Sequence, residues 1–239
     1  MANPLRRALR IAIAVAVASS VGSVCVAQDD DANFQTWTDF TSLYWLNNNI
    51  RYDGDYGLRG IVSERGWTQA YVRPSFGWFK LDWLTLKGGL GAFLTVQDTS
   101  QFEFRPYVGV DVIWPNLNGW RFDYYVRLEW RNVWSADDVD FQSDFRGRLR
   151  VQLHTPSFGH GFNGLPFYGL ASFEFFSDLG AITENFAART RSTLALGHLI
   201  TLRWRAELWT TLQSSRDNPE QTFQLSDVIL RLRIKYHIN

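Results

Sequence analysis

Residues 120–130 read WRFDYYVRLEW. In an extended chain successive side chains point to opposite faces. Trp120, Phe122, Tyr124, Val126, Leu128 and Trp130 then form one row, and Arg121, Asp123, Tyr125, Arg127 and Glu129 the other. A period of two marks a strand with two unlike faces. In a soluble sheet the apolar row would cover a core and the charged row would meet water. In an outer-membrane barrel the polarity is reversed, with the apolar row against lipid and the charged row lining the interior. The local pattern is the same in both cases, so the rest of the chain has to decide.

The pattern recurs at about 34–45, 66–79, 82–97, 101–114, 119–134, 143–155, 165–177, 186–199, 200–213 and 222–238. FEFRPYVGVDV sets Phe102, Phe104, Val108, Val110 and Val112 against Glu103, Arg105 and Asp111, and DFRGRLRVQL sets Phe145, Leu149, Val151 and Leu153 against Arg146, Arg148, Arg150 and Gln152. No helical stripe and no domain linker interrupts them. Soluble strands usually run about 5–6 residues, whereas a tilted membrane-spanning strand needs about 9–11. Most of these segments have the longer length. Aromatic residues make up 16% of the chain, with 11 Trp and 18 Phe, and Trp114, Trp120, Trp130, Trp134 and Tyr236 gather near segment ends, where interface anchoring would place them. The expectation is an all-β fold: a single antiparallel transmembrane β-barrel over 34–239 with about ten strands, twelve being the second choice. A soluble periplasmic β-barrel or sandwich binding protein is the competing reading.

The N-terminus supports export. Arg6, Arg7 and Arg10 precede the apolar run IAIAVAVA (11–18), and SVCVAQ ends in small residues suited to cleavage after Ala27. Residues 1–27 therefore read as a secretory signal peptide and 28–33 as a short acidic leader. A lipid anchor on Cys25 is the lesser alternative. The single cysteine allows no internal disulfide. After Ala27 no stretch resembles a spanning helix, so a membrane crossing would be made by strands. Starting from the periplasm, the outer connections become 46–65, 98–100, 135–142, 178–185 and 214–221, the inner ones 80–81, 115–119, 156–164 and the join at Leu199–Ile200, and both chain ends finish in the periplasm. A weak further strand at YGLRGIV (56–62) would spoil that parity.

The chain resembles the bacterial outer-membrane barrel proteins grouped as domain of unknown function 2490. The resemblance covers about 34–238 and is carried by FQTWTDF, FEFRPYVGVDV, YYVRLEWRNVW followed by RGRLRVQL, SFEFF and DVILRLRIKYHI. It implies an outer-membrane barrel of about this size and no particular reaction. Barrels of this kind usually end in an aromatic residue, whereas this chain ends YHIN.

Catalytic signals are weak. His154, His160, His198 and His237 are not spaced as metal ligands, and no serine sits in a G-x-S-x-G turn. GGLG (88–91) lies inside an extended segment with no helix behind it, so it is no phosphate cradle. The expectation is a protein that is not an enzyme, with no cofactor and no metal; the alternative is an outer-membrane barrel hydrolase using His160 or His154 as base. Lys+Arg and Asp+Glu are equal at 24 each, which recommends no nucleic-acid partner. The sorting of those charges is more informative. Fourteen cations fall on inward rows: Arg105, Arg121, Arg127, Arg131, Arg146, Arg148, Arg150, Arg189, Arg191, Arg203, Arg205, Arg231, Arg233 and Lys235. Seven acids accompany them: Glu103, Asp111, Asp123, Glu129, Asp144, Glu174 and Glu207. Asp53, Asp55, Asp137, Asp138, Asp140, Asp217 and Glu220 fall in connections and read as acidic rims. The lumen is expected to be narrow or plugged: the first reading is that Arg–Glu pairs and Tyr hydroxyls fill it, the second that it binds or passes a small anionic solute. The other expected partners are outer-membrane lipid and, during insertion, the barrel-assembly machinery.

Overall fold

The computed structural model describes residues 32–62, 67–97, 100–114, 116–136, 141–161, 163–179, 187–216 and 222–238. Residues 1–27, expected to be a signal peptide, most of the expected leader, Asp137, Asp138, Asp140, Asp217, Glu220 and Asn239 lie outside them. Among the described residues eleven strands follow one another with no helix between them: β1 (Asn33–Trp45), β2 (Ile50–Ile61), β3 (Thr68–Leu81), β4 (Leu84–Val96), β5 (Gln101–Ile113), β6 (Arg121–Ser135), β7 (Phe141–His154), β8 (Phe167–Asp178), β9 (Ala187–Leu199), β10 (Trp204–Ser215) and β11 (Gln224–Ile238). Each hydrogen-bonds to its sequence neighbours, and β1 closes the barrel on β11.

Two expectations are corrected here. The barrel has eleven strands rather than ten, because 46–65 is not one connection but a turn, a strand and a second connection. β2, IRYDGDYGLRGI, contains three glycines and two aspartates, residues depleted in strands, and its polar row hides what alternation there is. It is paired along its length on both sides, from Gln35↔Ile61 to Trp45↔Arg51 with β1 and from Ile50↔Trp78 to Gly60↔Thr68 with β3. Two of those glycines are required by close approach. A Cβ on Gly57 would stand 2.6 Å from Asp39 Oδ1 and 2.7 Å from the Tyr71 ring, and one on Gly54 would meet the hydroxyls of Tyr56, Ser42 and Tyr52 within 2.7 Å.

The second correction follows from the first. With an odd number of strands, each antiparallel to the next, the closing pair must run in the same direction. β1 and β11 pair parallel, in register from Asn33↔Asp227 to Tyr44↔Ile238. Asn33 and Ile238 consequently lie at opposite ends of the barrel, not at one end. The Ile238 end also carries the turns 46–49, 82–83 and 200–203 and the connections 114–120 and 155–166. The turn expected at 80–81 falls two residues later, at Asp82–Trp83.

Polarity is inverted relative to a soluble domain. Buried positions include Asp39, Glu103, Asp123, Glu129, Glu174 and Glu207, while Leu58, Val72, Leu94, Val108, Val126, Leu128 and Trp130 stand exposed on the outer wall. The side of WRFDYYVRLEW that faces outward is the apolar one. Aromatic pairs sit near both ends of the outer wall: Trp204 stacks on Tyr236 with centroids 4.4 Å apart at one end, and Phe102 lies 5.7 Å from Trp134 at the other.

Candidate functional site

Strand alternation places the charged rows in the lumen, and register brings their members together. Arg105, Arg121, Arg127, Glu129, Arg131, Arg146, Arg148, Arg150, Glu174, Arg205, Glu207, Arg231 and Arg233 all lie on inward rows of their strands. Arg203 does not. It sits exposed in the β9–β10 turn, because Ile200 and Thr201 bond back to the Trp204 carbonyl and the Thr201 hydroxyl accepts from the Arg203 and Trp204 amides. The strand begins one residue after it.

Carboxylates taken out of water need donors, and each of these has them. Glu103 on β5 accepts from both Arg105, at 2.5 Å to Oε1, and Arg131 of β6, at 2.7 Å. Glu129 pairs with Arg127 on its own strand and stands 4.0 Å from Arg105. Glu174 of β8 takes the Arg148 guanidinium of β7. Glu207 of β10 accepts from Tyr168 Oη at 2.6 Å, Lys235 Nζ at 2.7 Å and Trp209 Nε1 at 2.9 Å. Asp123 is held by Arg121 at 2.9 Å and His154 at 2.8 Å. The resulting network runs around most of the barrel wall.

The structure adds members that the sequence reading left out. β2 contributes Arg51, Asp53, Asp55 and Arg59 to the lumen. Asp53 and Asp55 are therefore not rim acids: Arg51 holds Asp53 at 2.6 Å, and Arg73 of β3 pairs with Asp55. Lys87 reaches Asp111 at 2.7 Å between β4 and β5. Asp39 accepts from Tyr71 Oη at 2.6 Å and from Arg231 and Arg233, and Asp227 accepts from Gln35 at 2.5 Å and from Gln213. Asp39, Arg73 and Lys87 stand on the polar row of an alternating segment, which was the available signal. Even with these acids counted, inward cations outnumber inward acids among the described residues.

Aromatic rings fill the space between the ion pairs. Trp37, Tyr71, Phe93, Tyr107, Tyr125, Phe176 and Trp209 are buried on inward rows, and guanidiniums lie over their faces. Arg59 stands 4.2 Å from the Trp37 centroid and 4.4 Å from that of Tyr71, Arg105 4.1 Å from Phe93, and Arg127 4.8 Å from Tyr107. Such contacts are worth about 0.5–1 kcal/mol when exposed and about 2 kcal/mol when desolvated. Rings and charges together line the interior.

The histidines are dispersed. His154 contacts Asp123, Arg121 and Gln152; His160 Nδ1 lies 3.2 Å from the Gly164 carbonyl; His198 stacks on Phe167 on the outer face. Among the described residues no histidine bonds a serine or threonine hydroxyl, and no group of three metal-ligating side chains gathers.

The fold and its interior define a closed, all-β barrel with an inverted polarity and an ion-paired lumen. The chain belongs to a family described as protein of unknown function DUF2490, whose sequence model matches residues 34–224. No curated protein matches it.

Proposed function

We propose that this chain is an outer-membrane barrel whose narrow, basic interior admits small anions at most slowly and does no catalysis. The observation that carries the membrane placement is the inverted polarity. Water-exposed apolar patches on soluble monomers seldom exceed a few hundred Å², yet here the outward row of nearly every strand is apolar. Strands of 12–15 residues exceed the about 9–11 needed to span, and aromatic pairs near both ends suit interface girdles.

The narrow lumen follows from size. About eight strands enclose a space that side chains can fill, while open aqueous channels need about 16–18. Eleven strands are close to the lower limit, and rings and ion pairs occupy the interior. The surplus of guanidinium makes the interior potential positive, which concentrates anions. Export by the N-terminal signal and insertion by the barrel-assembly machinery belong to the same reading.

Substitution on the two faces of β6 tests the placement. Val126→Asp or Leu128→Asp puts a charge against lipid, which costs about 2–4 kcal/mol near the midplane for Arg or Lys and less for Asp, and should block assembly. Tyr125→Asp, in the lumen beside Lys87 and Arg150, should be milder. A mature protein that stays soluble without detergent, or equal tolerance at both faces, would overturn the reading.

A further inference from the structure

Two buried nitrogens at the Ile238 end of the lumen have no hydrogen-bond partner: Arg205 Nε of β10 and His237 Nε2 of β11. They are diagonal neighbours on one face of an antiparallel pair, since Arg205 opposes Lys235 and the His237 amide bonds the Arg203 carbonyl. Long side chains at such positions reach each other's surroundings. Arg51 and Asp53 of β2 lie on that side too, since Leu43 of β1 opposes both His237 and Asp53, and Lys235 stands two residues before His237 on the same row.

The nearby acids are already committed. Both oxygens of Asp53 are taken by Arg51, at 2.6 and 3.0 Å. Glu207 holds three donors, Tyr168, Lys235 and Trp209. Arg205 makes no ion pair, hydrogen bond or ring contact with the described residues. It also stands directly across the ladder from Lys235, and like charges in that position destabilise a sheet. A cation placed there without a counter-charge costs stability, and unsatisfied buried donors in a native fold point to a bound water or ion.

We propose that Arg205 and His237, in the field of Lys235 and Arg51, bind a small oxyanion such as phosphate or a carboxylate at this mouth of the barrel. The guanidinium edge matches the spacing of oxyanion oxygens, and His237 donates through Nε2 in the tautomer that protonates it. The site deepens the anion-favouring reading of the lumen and rests on it. Its readout is separate, however, because ligand-dependent stability is independent of ion current: either can fail without the other.

The test is thermal unfolding of the full-length barrel in detergent, with sodium phosphate or sodium acetate titrated against sodium chloride at matched ionic strength. Binding to the folded state raises the midpoint by mass action, by roughly 3–6 °C at tenfold the dissociation constant. Phosphate should do this for the wild type and for Arg203→Gln, whose side chain is exposed in the adjoining turn. Arg205→Gln should lose the response and, in chloride, be at least as stable as the wild type, because it relieves the Arg205–Lys235 opposition. Isothermal titration should show one phosphate per chain in the wild type and none in Arg205→Gln. Phosphate no better than chloride, a response retained by Arg205→Gln, or an Arg205→Gln barrel less stable in chloride would each overturn the site.

Discussion

The carboxylate of Asp39 on β1 accepts a hydrogen bond from the guanidinium of Arg231 on β11, across the only parallel pairing among the described strands. Arg233 adds a second contact at 3.4 Å and Tyr71 a third at 2.6 Å, and the Asp39 side chain is wholly shielded from solvent. The seam that closes the barrel is thus pinned from inside by one acid shared among three donors. Removing one member of a buried pair leaves the other charged and unpaired, at about 3–5 kcal/mol. Asp39→Asn should therefore lower the unfolding free energy of the barrel, read from its urea midpoint in detergent, by that order. Asp53→Asn, whose partner Arg51 is partly solvated, should cost clearly less. Equal midpoints for the two variants would remove Asp39 from this role.

Membership of 50–61 in the barrel can be tested through its glycines. A side chain on Gly57 must displace Asp39, the Thr38 carbonyl or Tyr71, all within 2.7 Å, whereas a Cβ on Gly60 meets nothing nearer than 3.7 Å. Overpacking of this kind costs about 1–3 kcal/mol or more. Gly57→Leu should impair folding and Gly60→Ala should be nearly silent, as read by the same unfolding midpoint. A loop at 50–61 would tolerate both.

In planar bilayers the barrel should give small or undetectable currents, and any current should favour anions. Arg150 is the variant to change first. Its contact is with the Tyr125 ring at 5.3 Å and it makes no ion pair with the described residues, whereas its neighbour Arg148 is the partner of Glu174. Arg150→Gln should keep the fold and weaken anion preference in reversal-potential measurements. Changing Arg146, Arg148 and Arg150 together to Gln should instead destabilise the barrel, because Glu174 then loses its donor. Large cation-selective currents from the wild type would contradict the charge sorting.

A polar relay lies on the outer wall near one end. Trp130 Nε1 donates to Ser143 Oγ at 2.7 Å, which donates to Asn132 Oδ1 at 3.2 Å, and Asn132 Nδ2 reaches the Phe104 carbonyl at 3.4 Å. Asn132 is buried although its row faces outward. A mutational hydrogen-bond loss of about 1 kcal/mol, or about 1–3 when a buried group is left unsatisfied, is the expected cost of Ser143→Ala. Ser143→Thr, which retains the hydroxyl, should be close to neutral. Equal unfolding midpoints for the two variants would leave the relay without a stabilising role.

Strand identity, direction of side chains and the inward placement of most charges were legible in the sequence, because a period of two is a local property: each residue's face is set by its neighbours two positions away. Ten segments, and with them Arg127, Glu129, Arg148, Glu174 and Glu207, could be placed from that rule alone. Three features were decided only by the tertiary structure. β2 is a strand because β1 and β3 hydrogen-bond to it along its whole length and because its aspartates find Arg51 and Arg73. Its own composition offers only a weak strand at 56–62 and otherwise argues for a loop. The parallel seam and the separation of Asn33 from Ile238 follow from that one extra strand, since closure is a property of the count and not of any segment. The pairing of charges was likewise hidden. Alternation says that Arg148 and Arg150 both face the lumen, and register sets Arg150 opposite Glu174, but side-chain packing gives Glu174 to Arg148 on the diagonal and leaves Arg150 against a tyrosine ring.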